Sequence, residues 1–110
     1  MKYQIVPLSD DDTNRERLRK LIDKLSTEAP KASLLILDLT RVKMINSGVL
    51  CEIMRLHKDF RAMAGDVFIA GPSHDVNLLL DNSRLNKIIR VYNTLAAAVR
   101  AIENPEPGMV

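Results

Sequence analysis

The sequence predicts an α/β fold with a mainly parallel central sheet of about four strands flanked by helices. Three observations predict it. Short apolar runs suited to strands alternate along the chain with longer stretches that have a helical period. One of the short runs, "SLLILDL" (Ser33 to Leu39), has no polar alternation, which suits a central strand buried on both faces. Each strand candidate is also followed by a helix candidate, the crossover that parallel neighbours need.

In order, "KYQIV" (Lys2 to Val6) reads as a first strand, stopped by Pro7 and the polar loop "SDDD". Thr13 and Glu16 have the spacing of a capping box, and Leu18, Leu21, Ile22 and Leu25 share one helix face, so the first helix is expected over Thr13 to Ser26. Arg15, Arg17, Arg19, Lys20 and Lys24 form its solvated face. After the buried strand a second helix starts near Asn46. Its stripe of Val49, Ile53, Leu56, Phe60 and Met63 faces the sheet, and Gly65 serves as the C-terminal stop. "DVFIA" (Asp66 to Ala70) is the third strand, and Ser73 caps a short helix with Val76, Leu79 and Leu80. "KIIRVY" (Lys87 to Tyr92) is the last strand, and Asn93 caps a final helix with Leu95, Val99 and Ile102. One domain over 1–103 and a flexible C-terminal tail over 104–110 are expected. Strand order is not legible.

At 110 residues there is room for a single modest core. The 46% hydrophobic and 27% charged residues are those of an ordinary globular protein, and a net charge of +2 offers no broad basic field for nucleic acid. No apolar stretch approaches a bilayer span and the start has no signal-peptide core, so a cytoplasmic protein without membrane insertion is expected. Cys51 is the single cysteine, and His57 and His74 are the only histidines. No metal-ligand spacing results, and no metal or other cofactor is expected.

The chemistry concentrates in "VKMINSGVL" (Val42 to Leu50). Ser47 has Ile45 and Val49 where a nucleophile elbow needs glycines, so no catalytic residue and no enzyme activity are assigned. Asp10, Asp11 and Asp12 lie just after a strand and Asp38 ends another, as in a receiver domain with a phosphoacceptor at Asp38. Only one helix separates the acidic run from Asp38, however, and the last strand lacks a terminal lysine; a solvated acidic loop is the simpler reading. Asp38 closes a buried strand, where its carboxylate is expected to accept hydrogen bonds from the loop containing Thr40. Cys51 is expected as a small packing residue, His57 as a surface or structural residue and not a ligand, and the five methionines as core filler.

Several segments together resemble a STAS domain, the fold of bacterial anti-sigma factor antagonists: a strand ending "LDLT", the polar cluster opening a helix, "MRLHK", "AGDVFIAGP" and "LNKIIRVYNTLAAAVRAI". The resemblance covers Leu34 to Ile102. Family members usually read Asp-Ser-Ser-Gly-Leu-Gly across the helix start, and a partner kinase phosphorylates the second serine. Placed without a gap, Asn46 falls on the aspartate, Ser47 on the first serine and Gly48 on the acceptor, so the usual acceptor hydroxyl is absent. Ser47 remains a second-choice phosphoacceptor.

The resemblance implies a protein-binding regulator whose partner is an anti-sigma factor or its kinase. Asn46, Ser47, Gly48 and Glu52 are expected to face outward as the partner surface, with Asp38 and Thr40 as structural support. The alternative is a scaffold or accessory subunit, as in stressosomes or lipid-transport complexes. Family members usually begin with two strands, and the single first strand here implies an exposed sheet edge that pairs with another chain, as a homodimer through it or with a strand contributed by a partner.

Overall fold

The structure, a computed structural model, describes residues 3–104. β1 (Tyr3–Ser9) leads through a 3-10 turn (Asp10–Thr13) to α1 (Arg15–Glu28), followed by β2 (Leu34–Arg41) and α2 (Ser47–Ala62). β3 (Asp66–Ala70), α3 (His74–Asn82), a 3-10 turn (Leu85–Lys87), β4 (Arg90–Tyr92) and α4 (Leu95–Glu103) complete the order. All neighbouring strands pair in parallel, and the sheet order is β1-β2-β3-β4. The predicted four-stranded parallel α/β architecture is therefore the one observed.

The apolar run of the second strand has its cause in this layering. Leu35, Leu37 and Leu39 pack into a core with α1, α2 and α3, while Ile36 faces Phe68, Ala70, Ala98 and Ile102 on the other side, under α4. Leu35, Ile36, Leu37 and Leu39 are each at most 1% exposed. Burying such a side chain stabilises by about 1.5–3 kcal/mol, so β2 anchors both layers. The layers are unequal: among the described residues α4 is the one helix on the second face, where it packs on β2, β3 and β4.

Several boundaries differ from expectation. β1 runs on through Pro7 to Ser9, with a register shift between those two residues, because an edge strand tolerates a proline that cannot donate. The cap of α1 is Asn14 and not Thr13. The Asn14 Oδ1 accepts from the N–H groups of Glu16 (2.9 Å) and Arg17 (3.4 Å), whereas the Thr13 hydroxyl donates to the Asp10 carbonyl inside the 3-10 turn (2.7 Å). The last strand is only three residues long. Leu85 to Lys87 form a 3-10 turn that carries Leu85 and Ile89 into the core and leaves Ile88 52% exposed. Thr94 caps α4 in place of Asn93, accepting from Ala97 N–H at 3.0 Å.

Gly65 ends α2 for a reason different from the expected one. The left-handed residue is Ala64 (φ 63°). Ala64 N–H donates to the Arg61 carbonyl (3.1 Å) and Gly65 N–H to the Phe60 carbonyl (2.8 Å), the paired bonds of a Schellman stop. Gly65 is needed for space: a Cβ on it would stand 2.2 Å from the Ser33 carbonyl oxygen. The expected flexible tail falls on residues 104–110, of which 105–110 lie outside the described residues.

Candidate functional site at the start of the second helix

The segment between β2 and α2 is tied down on both sides. Asp38 Oδ1 accepts from Thr40 N–H at 3.0 Å and from the Thr40 hydroxyl near the end of β2, where the pairing with β1 shifts register. Gly71, at φ +65°, lies against Thr40 and leaves no room for a Cβ, which would stand 2.6 Å from Thr40 Oγ1. Beyond the strand, Lys43 N–H donates to Asp10 Oδ1 (2.8 Å) and the Ser73 hydroxyl donates to the Lys43 carbonyl (3.1 Å). Val42 and Ile45 are buried, and Met44 between them is 54% exposed. Met44 is thus a surface residue, a departure from its expected role as core filler.

These ties account for part of the acidic run. Asp10 holds the Lys43 amide, and Asp12 Oδ2 accepts from both the N–H (2.9 Å) and the hydroxyl (3.1 Å) of Ser9. The Asp12 carboxylate serves the turn that carries it, and that of Asp10 ties the turn to the segment before α2. Among the described residues no three of His, Cys, Asp or Glu converge as a cation site.

Asn46 then caps α2, its Oδ1 accepting from Val49 N–H at 3.0 Å. Its neighbours Ser47 and Gly48 supply first-turn N–H groups that have no hydrogen-bond acceptor among the described residues, as a helix start leaves them. Asn46 and Ser47 are exposed and Gly48 is half-buried. What half-covers Gly48 is Arg15 of α1: the place of a Cβ on Gly48 is 3.0 Å from Arg15 Cδ and 3.2 Å from Asn46 Oδ1. Asn14, Arg15, Glu16, Arg19 and Asn46 line an open hollow of about 700 Å³ beside this contact. The starts of α1 and α2 therefore form one surface, and sequence reasoning found only the α2 half. Arg15 had no signal beyond belonging to a wet helix face.

Glu52 corrects the expected surface. It is 4% exposed, buried between α1 and α2, with Arg55 Nε 3.7 Å from its carboxylate. Arg55 Nη2 in turn donates to Asp23 Oδ1 (2.8 Å) and to the Arg19 carbonyl (3.4 Å) on α1. The signal was present: Glu52 lies three residues after Val49 and four before Leu56, on the apolar stripe itself. Cys51, expected to pack inside, is exposed one turn below Ser47. The outward face at this end of α2 thus runs through Ser47 and Cys51. His57 sits further along, its Nε2 3.4 Å from Asp66 Oδ1, where it ties α2 to the start of β3.

The family model of the STAS domain matches residues 11–98. The chain belongs to the STAS domain family. Solved STAS structures superpose closely on this one. A Thermotoga maritima protein whose description proposes an anti-sigma factor antagonist gives a TM-score of 0.78 at 20% identity, covering 93% of this chain and 88% of that one. An anti-sigma-factor antagonist domain protein from Planctomyces limnophilus gives 0.77 at 12% identity, over 91% and 90%. The STAS domain of a SulP transporter from Vibrio cholerae gives 0.69 at 18% identity, over 93% and 84%. At these identities the likeness is one of fold. Comparison with curated protein sequences gives no match. Among the described residues no helix of this STAS domain is long and apolar enough to cross a membrane.

Proposed function

We propose that this STAS domain is a regulatory binding module that acts as an anti-sigma factor antagonist, docking on an anti-sigma factor or its kinase through the start of α2. The observation that carries this reading is the rigid presentation of exposed Asn46 and Ser47 beside Gly48, which is half-covered by Arg15. The segment before them is pinned by Asp10, Asp38 and Ser73, so docking costs little ordering of the chain. The Thermotoga and Planctomyces neighbours, described as antagonists, support it. No catalytic step is assigned, and the module works by contact.

Gly48 gives the reading its regulatory content. Without a hydroxyl there, the surface stays in its unmodified, binding form, and Ser47 is the nearest acceptor left for a kinase. Gly48→Asp imitates the missing phosphate. Its Cβ meets the flexible Arg15 side chain, which can swing aside, and the capping Asn46 Oδ1 at 3.2 Å, which must give slightly; a first-turn carboxylate is favoured by the helix dipole and offsets this, so folding is expected to change by less than about 1 kcal/mol. Calorimetric titration against the anti-sigma factor of the same cell should show at least about tenfold weaker binding for Gly48→Asp, or about 1.4 kcal/mol. Equal affinities would place docking elsewhere.

The second reading is an accessory domain of a larger assembly, a stressosome or a transporter. The Vibrio neighbour and a sulfate transporter family protein from Wolinella succinogenes favour it. Under that reading the anti-sigma factor does not bind the wild-type chain at all, which the same titration measures.

A further inference from the structure

We propose that a second copy of this chain pairs with the outer edge of β1, antiparallel about a two-fold axis at Ile5, to make one continuous eight-stranded sheet. The inference begins with what β1 presents. Among the described residues nothing pairs with its outer side. Edge strands are normally protected by charged side chains, yet from Tyr3 to Ser9 the strand reads YQIVPLS, without one charge. Ile5 is 39% exposed.

The exposed isoleucine lies on the less protected face. Val6 and Leu8 point into the core with α1 to α3, so Tyr3, Ile5 and Pro7 point to the α4 side, and Ile5 stands beside Ile36 there. Among the described residues α4 packs mainly on β2 to β4 and leaves Ile5 exposed at the β1 margin of this face. Tyr3 alone is held, donating from its hydroxyl to Glu103 at 2.7 Å. A hollow of about 460 Å³ runs along α4 past Leu95, Val99 and Glu103.

The backbone selects an extended partner, and the side chains select a copy. In a sheet made by right-handed crossovers, the β1 residues facing α4 direct their N–H and C=O groups away from β2. Ile5 therefore offers both groups outward, and the N–H that Pro7 lacks falls on the solvent side, where an edge proline is tolerated. With the axis at Ile5, the two Ile5 residues exchange a pair of hydrogen bonds, and Tyr3 N–H meets the carbonyl of the partner's Pro7. About this axis Ile5 meets Ile5, Gln4 meets the partner's Val6 and Tyr3 meets the partner's Pro7, so two identical uncharged edges meet with no like charges opposed. The paired isoleucines then cover each other on the open margin. Since the strands oppose, the two α2 starts lie at opposite ends of the sheet, so the dimer is a bivalent module with two unobstructed docking surfaces.

Sedimentation equilibrium of the whole chain, from about 10 μM to about 1 mM, tests this. The expected result is a concentration-dependent species of twice the 12.4 kDa chain mass. Ile5→Lys, which sets like charges across the axis, should abolish it, while Ile88→Lys, at another exposed isoleucine, should leave it intact. Should Ile5→Lys disturb folding, amide exchange of the wild type decides: the Ile5 N–H should become protected as concentration rises. A chain that stays monomeric to about 1 mM, a dimer that survives Ile5→Lys in a folded protein, or an Ile5 amide indifferent to concentration overturns the proposal. None of these outcomes bears on docking at α2, which the Gly48→Asp titration measures separately.

Discussion

Neighbouring residues at the end of α2 should respond to opposite substitutions with opposite signs. Ala64 has φ 63°, a conformation costing an L-residue about 1–2 kcal/mol, and glycine would relieve that. Glycine also loses about 0.5–1 kcal/mol more backbone entropy on folding. Ala64→Gly is therefore expected to stabilise the domain by about 0.5–1 kcal/mol, which raises Tm by about 3–6 °C for a chain of this size. At the next residue the balance reverses. A Cβ on Gly65 stands 2.2 Å from the Ser33 carbonyl oxygen, about 1 Å closer than such atoms approach. That carbonyl cannot move freely, since it accepts Asp66 N–H at 3.2 Å where β3 begins beside β2. Overpacking and one lost hydrogen bond together put Gly65→Ala at about 2–4 kcal/mol of destabilisation. Urea unfolding of the two variants, with m unchanged from wild type, reads both values. If Gly65→Ala is tolerated while Ala64→Gly destabilises, the glycine serves backbone conformation and not close approach, and the reasoning fails.

Three other predictions rest on single contacts. Asp38→Ala should lower stability by about 1–2 kcal/mol by releasing the Thr40 N–H and hydroxyl, and an unchanged Tm would show that the end of β2 holds without them. Arg55→Ala should cost about 1–3 kcal/mol, mostly by leaving buried Glu52 without its neighbouring cation; in a Glu52→Leu background the cost should drop below about 1 kcal/mol, and equal costs in both backgrounds would break the link. The Tyr3 hydroxyl titrates above the ordinary tyrosine value of 10.0, first because it donates to Glu103, then through burial and the negative charge of Glu103. Because the folded-state value is raised, the stability this proton confers is whole below pH 10.0 and disappears as pH rises through the folded value. NMR titration should find Tyr3 returned toward 10.0 in Glu103→Ala, and no movement would remove the hydrogen bond as the cause.

The sequence by itself determined those elements whose signals lie within a few residues of one another. The unbroken apolar run of β2, the Asn46 and Ser73 caps, the strand "DVFIA" and the resemblance across the α2 start were all legible. Caps and periodicity act over one or two turns, so their physics is written locally. Where two local solutions competed, the sequence misled: Thr13 and Asn14 are both good caps, and only the 3-10 turn held by Asp10 and Asp12 gave the place to Asn14.

Tertiary structure decided what depends on surfaces meeting from distant parts of the chain. Glu52 is buried because α1 closes over that side of α2, with Arg55 between them. Gly65 must be small because the loop before β2 passes against it. Arg15 joins the α2 start because the crossovers bring the first turns of α1 and α2 together, 33 residues apart in the chain at Arg15 and Gly48. The strand order, and with it the exposed margin of β1, follows from how one helix and three divide between two faces of a four-stranded sheet. Packing free energy of that kind belongs to pairs of elements and not to either member, and no window along one element contains it.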